Sequence, residues 1–219
     1  MIRRLAVVAG VAMAVSALSG CGPTTTAAWN MNETAGPTMN DSVGNHDGTA
    51  SNVAFNQAGR QGRAYGFNGI NSIVRVNHAA DLNPGTGDFS FGAFVNFTQL
   101  PPDSNWDILR KGVSNTAGGY YKLEVFPGNG GARARCFFRD SDGTQISVVR
   151  GTGLNNGAWH QLTCSRTGGN VSLKVDSGTS TNPVSGLGSI ANTAQLTLGA
   201  KLPGADFYKG LMDDAQVST

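Results

Sequence analysis

The chain has 219 residues, of which 31 are glycine and only 14% are charged. Sixteen Lys and Arg against 14 Asp and Glu give a net charge of +2, too balanced for a dedicated nucleic-acid binder with its strongly basic face. Glu occurs only at Glu33 and Glu124, whereas Asn occurs 19 times. Helix surfaces are filled with Glu, Lys, Ala and Leu, so a helical bundle is excluded and many short strands joined by Gly- and Asn-rich turns are expected.

The first element is an address label. Arg3 and Arg4 precede an apolar run from Leu5 to Leu18, about 14 residues long, short for a bilayer span and right for a signal-peptide core. It ends in Leu18-Ser19-Gly20-Cys21, which resembles the bacterial lipobox, where cleavage before the Cys is coupled to its acylation. The competing reading is ordinary cleavage near Val15-Ser16-Ala17 with Cys21 left free. The chain is thus expected to divide into a lipoprotein signal peptide at 1–20, a short tether at 21–26 that starts with acylated Cys21, and one domain at 27–219. Residues 1–20 hold two Arg and no acid, so the mature chain carries 14 bases against 14 acids. Attachment to a membrane then rests on the lipid and not on a basic patch. The implied location is the extracytoplasmic face of a bacterial cell membrane.

Downstream, period-2 alternation predicts strands. Phe89, Phe91, Ala93, Val95 and Phe97 share one face of a strand. Ala134, Cys136 and Phe138 share a face opposite Arg133, Arg135 and Arg139. Val171–Asp176 and Leu196–Gly199 alternate as well, and Asn68-Gly69, Asp142-Gly143, Asn156-Gly157 and Gly168-Gly169-Asn170 mark turns between runs. About twelve strands are expected by this count, with at most one helical turn at His78–Leu82. Cys136 and Cys164 remain once Cys21 is set aside. In an exported chain an even pair reads as a disulfide, two buried free thiols being the alternative. An all-β, two-sheet antiparallel sandwich is the economical fold.

Several segments, in order, resemble the LamG-like branch of the concanavalin A-like lectin/glucanase superfamily. They are Trp29–Gly36, Asp41–Gly48, Ala64–Gly69, Asp88–Val95, Leu109–Gly112, Trp159–Arg166, Val171–Asp176 and Lys209–Val217. The departures are Phe94 where the family has Trp and Ser177 where it has Gly. The resemblance implies a jelly-roll sandwich and assigns Trp29 and Trp159 to packing, but it does not imply one chemistry. Glucanases of the superfamily use two Glu close together on one strand, as the retaining route needs. No acid stands two to four residues from Glu124, so no catalytic residues are assigned and a glycoside hydrolase is the remote alternative.

The superfamily often holds Ca²⁺ between its first strands and its last. Carried over, this nominates Asp213 or Asp214 with oxygens near Asn68. Arg133, Arg135 and Arg139 form a basic stripe that could hold acidic or sulfated glycans, with Trp106 and Tyr120 as stacking surfaces. The expected partner is a glycan or other surface polymer bound without catalysis. The alternative is a structural or adhesion domain that contacts a surface protein.

Overall fold

A computed structural model describes residues 23–102 and 105–219. The expected signal peptide at 1–20 and Cys21 lie outside the described residues. The first eight strands are β1 (Thr25–Trp29), β2 (Thr38–Met39), β3 (Gly48–Ser51), β4 (Ala54–Ala58), β5 (Arg63–Asn68), β6 (Ile73–Val76), β7 (Phe89–Asn96) and β8 (Trp106–Lys111). The rest are β9 (Tyr120–Gly128), β10 (Gly131–Arg139), β11 (Gln145–Arg150), β12 (His160–Thr167), β13 (Asn170–Val175), β14 (Gly178–Pro183), β15 (Leu196–Leu198) and β16 (Lys209–Ser218). The expected helical turn is a single 3₁₀ turn, Ala80–Leu82. Sixteen strands stand where alternation counted about twelve. The additional ones include β2 with two residues and β15 with three, too short to show a period.

The strands form two antiparallel sheets of eight. Sheet A runs β14-β13-β12-β7-β16-β5-β4, with β1 also paired to β16. Sheet B runs β11-β10-β9-β8-β15-β6-β3-β2. Beside β16, β5 lies against Lys209–Met212 and β1 against Ala215–Ser218. Thr24 N–H donates to the Thr219 carbonyl at 2.9 Å. Strand β1 therefore begins at Thr25, inside the stretch 21–26 expected as a tether.

The alternating faces close over one core. From sheet A come Phe89, Phe91, Leu162, Leu173 and Trp29; from sheet B come Tyr121, Leu123, Ala134 and Phe138, all 0% exposed. Phe91 meets Tyr121 at 4.7 Å and Phe138 at 5.8 Å between ring centroids, so the two inner faces interdigitate. Cys136 on β10 and Cys164 on β12 are joined by a disulfide, with Cα atoms 5.3 Å apart. The bridge thus runs from one sheet to the other through the core. Lys111 shares the inner face of β8 and is wholly buried. Its ammonium donates to Asn83 Oδ1 at 2.9 Å and to the Asn192 carbonyl at 2.7 Å. Burial pulls it down to about 8.

Asp41 locks the entry loop. Its Oδ1 accepts from the N–H groups of Ala28 and Val43 at 2.9 and 3.0 Å, and its Oδ2 accepts from His46 N–H at 3.0 Å. Burial would raise this carboxyl, but the backbone donors outweigh it and hold it at about 2. His46 bridges Asp41 Oδ2 and Asp81 Oδ1, each at 3.0 Å, while its carbonyl accepts Trp29 Nε1–H at 2.8 Å. Burial opposes the His46 charge, yet the two carboxylates raise its pKa.

The sign follows from linkage. The raised His46 stabilises fully below its unfolded value of about 6.5, and that contribution is lost as pH rises through the folded value. The depressed Asp41 contributes above its ordinary 3.8 and is lost as pH falls toward about 2. The stability gap between wild type and His46→Gln is therefore expected to shrink as pH rises from 6 toward 9. Paired melts across that range check it, and a gap that stays constant would refute the latch.

Candidate functional site

The chemistry gathers on the outer face of sheet B. A β-bulge in β8 creates it. Trp106 stands opposite Val125 and Asp107 opposite Glu124, but the next paired residue is Leu109, opposite Leu123, so Ile108 is extra. The bulge resets the side-chain parity. Asp107 and Arg110, three residues apart, therefore both face outward, beside Glu124 and Lys122 of β9.

These charges pair before any ligand arrives. Arg110 bonds Asp107 through Nη1 and the Gly112 carbonyl through Nε at 2.9 Å. Lys122 bonds Glu124, and Arg135 Nη1 lies 3.0 Å from Glu124 Oε1. That oxygen receives no well-formed hydrogen bond among the described residues. Asp107 and Glu124 are both fully buried and Arg110 is 4% exposed. Burial pushes the Asp107 carboxyl up and the neighbouring Glu124 adds to this, with Arg110 and Lys122 opposing.

The loop after β15 forms a wall. Lys201 and Asp206 pair at 2.7 Å, and the Asp206 carbonyl accepts Asp107 N–H at 2.9 Å, which seats the loop against β8. Two recesses flank Leu202. One, of about 420 Å³, is lined by Thr116, Ala194, Gln195, Thr197 and Pro203. The other, of about 300 Å³, is lined by Asn105, Ser114, Tyr120, Lys122, Lys201 and Asp206. Arg110, Val113 and Leu202 line both, so together they make one groove. Tyr120 stacks on Phe137 at 5.1 Å with 21° between planes, and Arg135 sits 4.4 Å above the Phe126 ring.

A larger recess of about 620 Å³ lies outside sheet A. Its asparagines are already committed: Asn52 donates to the Asn71 carbonyl, Asn96 to the Gly157 carbonyl, and Asn68 Oδ1 caps the turn after β5. Lys209 is its single charged lining residue. The groove on sheet B is therefore the better-equipped surface.

The expected site residues separate. Tyr120 and Arg135 belong to this face. Arg139 is tied to the Ser114 carbonyl at 2.9 Å, and Arg133 turns toward the Gly151 carbonyl at 3.1 Å, so the three arginines are not one free basic stripe. Trp106, expected as a stacking surface, is packed inside instead, 6.0 Å from Phe97 and 5.8 Å from Tyr208 between ring centroids. Trp29 is in the core as the family pattern implies, while Trp159 is only partly buried. Sequence reading missed Asp107, Arg110 and Lys122. Their only signal was three charges in or beside apolar runs, which the stripe of arginines overshadowed.

The oxygens nominated for Ca²⁺ do not converge. Lys209 pairs with Asn68, and Asp213 lies four residues further along β16, about 13 Å away at strand rise. Asp213 Oδ2 accepts Arg60 N–H and its Oδ1 accepts Asp214 N–H, both at 2.9 Å. Asp214 lies 4.0 Å from Arg60. Asn68 Oδ1 accepts from Ile70, Asn71 and Ser72. This donor set closes turns and does not fit the ion. No group of three His, Cys, Asp or Glu able to hold a metal occurs among the described residues.

Two antiparallel sheets over a shared core, with a groove of pre-paired charges outside one of them, define a lectin-like jelly-roll domain. The chain belongs to the Laminin_G_3 family of the concanavalin A-like lectin/glucanases superfamily, whose model matches residues 67–219. No curated protein matches the sequence. Among solved structures, the chain is similar to the binding domain of Paraclostridial Mosquitocidal Protein 1 (14% identity, TM-score 0.69, 90% of this chain and 48% of that one). It is also similar to the ligand-binding domain of botulinum neurotoxin serotype D in complex with N-acetylneuraminic acid (13%, 0.67, 89% and 47%). A third is domain 4 of AbnA, a GH43 extracellular arabinanase from Geobacillus stearothermophilus, in complex with arabinotriose (18%, 0.63, 90% and 93%). The chain spans about half the length of the two toxin domains. At these identities the likeness is one of fold.

Proposed function

We propose that this chain is a non-catalytic carbohydrate-binding module that takes a sugar chain into the groove over sheet B. The observation that carries this reading is the set of fixed, mutually paired charges there. Arg110, Lys122 and Lys201 stand against Asp107, Glu124 and Asp206, each base paired to an acid. Held by these acids, Arg110, Lys122 and Lys201 line the groove with donors in fixed directions, and Asp206 adds an acceptor, which suits hydroxyl groups and reduces the ordering cost of binding. Tyr120, 7% exposed and stacked on Phe137, backs the groove wall. The mutual pairing of these charges favours a neutral saccharide over the sulfated one that the arginine stripe suggested.

Catalysis is not the better reading, although Asp107 and Glu124 are cross-strand neighbours. A retaining hydrolase needs its two carboxyls free to face a scissile bond. Here both are buried and held by Arg110, Lys122 and Arg135.

We place the module outside the cell, held to the membrane by a lipid on Cys21. With Thr24 already bonded to Thr219, the reach from Cys21 is about 10 Å, so the domain would rest close to the bilayer. An acylated Cys21 terminus in the mass of the mature chain supports this, and an unmodified start elsewhere would overturn it.

Calorimetry with arabino- and other neutral oligosaccharides tests the groove. Binding is expected to persist with little change from 50 to 500 mM salt, since no net charge is neutralised. Tyr120→Ala and Lys201→Ala are each expected to weaken it about tenfold. Absence of binding to any glycan, with recovery of a stoichiometric protein partner, would replace this reading with the adhesion one.

A further inference from the structure

A further recess, of about 430 Å³, opens at the rim where the edges of the two sheets meet, away from the groove. Arg133, Arg150, His160 and Asp176 line it with Gly151 and Ser180. Its two guanidiniums lack an acidic partner among the described residues. Arg133 donates only to the Gly151 carbonyl at 3.1 Å, and Arg150 only to Ser180 Oγ at 3.0 Å. An arginine carries five N–H donors, so most remain for a ligand. The one carboxylate present is already engaged. Asp176 Oδ2 lies 2.8 Å from His160 Nδ1, and its Oδ1 accepts Gln161 N–H at 2.9 Å.

Both guanidinium stems are seated by glycines. A Cβ on Gly178 would stand 1.7 Å from Arg150 Nη2, and one on Gly128 would stand 2.5 Å from Arg133 Cδ. Neither glycine is among those with positive φ, so close approach, and not turn geometry, accounts for the missing side chain. Arg150 also departs from the pattern of its strand. It pairs with Ala134 on the inward-facing register of β10, yet reaches across to β14 at the open edge.

From these two guanidiniums, which line one shaped recess without a bonded carboxylate, we infer that the rim is a site for oxyanions, a carboxylate or a sulfate ester, held chiefly by Arg150 with Arg133 adding charge across the rim. A planar guanidinium binds such a group through charge-assisted, often bidentate, hydrogen bonds. The site is separate from the groove. It is suited to an acidic residue or substituent on a polymer, or to the free inorganic anion.

Amide NMR titrations of the folded domain with inorganic sulfate, with glucuronate and with an oligoglucuronate test it. Saturable shifts centred on Gly151, Thr152 and Ser180 are expected. Sulfate alone binding marks a free-anion site, and tighter binding of the oligosaccharide marks a polymer site. Arg150→Gln and Gly178→Ala should each weaken binding about tenfold or more. Gly178→Ala is the sharper variant, because it keeps the charge and displaces the guanidinium. Lys174→Gln, which removes an exposed charge elsewhere on β13, should leave binding unchanged, and melting curves verify that each variant is folded. No saturable shift with any of the three ligands, equal binding by the Arg133→Gln/Arg150→Gln double variant, or an equal loss in Lys174→Gln would overturn the inference. The neutral-sugar titration of the groove is read separately and does not depend on these outcomes.

Discussion

Replacing Cys136 and Cys164 together by alanine is expected to destabilise the domain by about 3–4 kcal/mol, lowering the melting temperature by about 10 °C. The bridge closes a loop with a sequence separation of 28, and without it the unfolded chain regains the freedom to open that loop. Its position adds to the effect. It ties β10 of one sheet to β12 of the other, so it opposes the sheets' separation directly and not fraying of a hairpin. Both cysteines are 0% exposed, and replacing only one would leave a thiol in the core and confuse the comparison. Calorimetry of the double variant, beside wild type with and without reductant, checks the figure. A variant that melts within about 2 °C of wild type would show that the core holds the sheets together without the bridge.

Asp107→Ala is expected to cost about 3–5 kcal/mol. The reason is what it leaves behind. Arg110 is 4% exposed and Asp107 is its carboxylate partner, so the substitution strands a buried cation. A second variant separates this from loss of packing. Replacing the pair together, Asp107→Leu with Arg110→Met, removes the stranded charge and should recover most of the stability. It should not recover sugar binding, because Arg110 lines both halves of the groove. Denaturant unfolding and calorimetric titration of both variants read the two properties apart. An Asp107→Ala protein as stable as wild type would mean that the pair behaves as an exposed one, and the preorganised groove would lose its basis.

Much of the fold was legible in the sequence because strand alternation is a local property. Phe89, Phe91 and Ala93 on one side and Arg133, Arg135 and Arg139 on another fall on the faces their spacing implied. The order of the family motifs gave the jelly roll. The surviving pair of cysteines gave the bridge, since both stand on the apolar faces of their strands.

The site was less legible. Alternation separates the two faces of a strand but does not carry past an inserted residue. At Ile108 the parity of β8 changes, and with it the fate of Trp106, which goes inside, and of Asp107 and Arg110, which meet outside. Asp107 and Glu124 are distant in sequence and adjacent only through strand pairing, so a search for acids near Glu124 along the chain could not join them. In the same way the arginine stripe was correct as a face and wrong as a unit. Cross-strand partners gave Arg135 to Glu124 and turned Arg133 to the rim with Arg150.

The low charge, the Gly and Asn excess and the alternating apolar runs by themselves determined that this protein is an all-β sandwich and not a helical bundle, because composition and period act residue by residue. Only the tertiary structure decided which of its charges pair within a groove and which stand without a bonded acid at a rim. Ion pairing depends on distances between strands, and those distances are set by register and bulges, not by spacing along the chain.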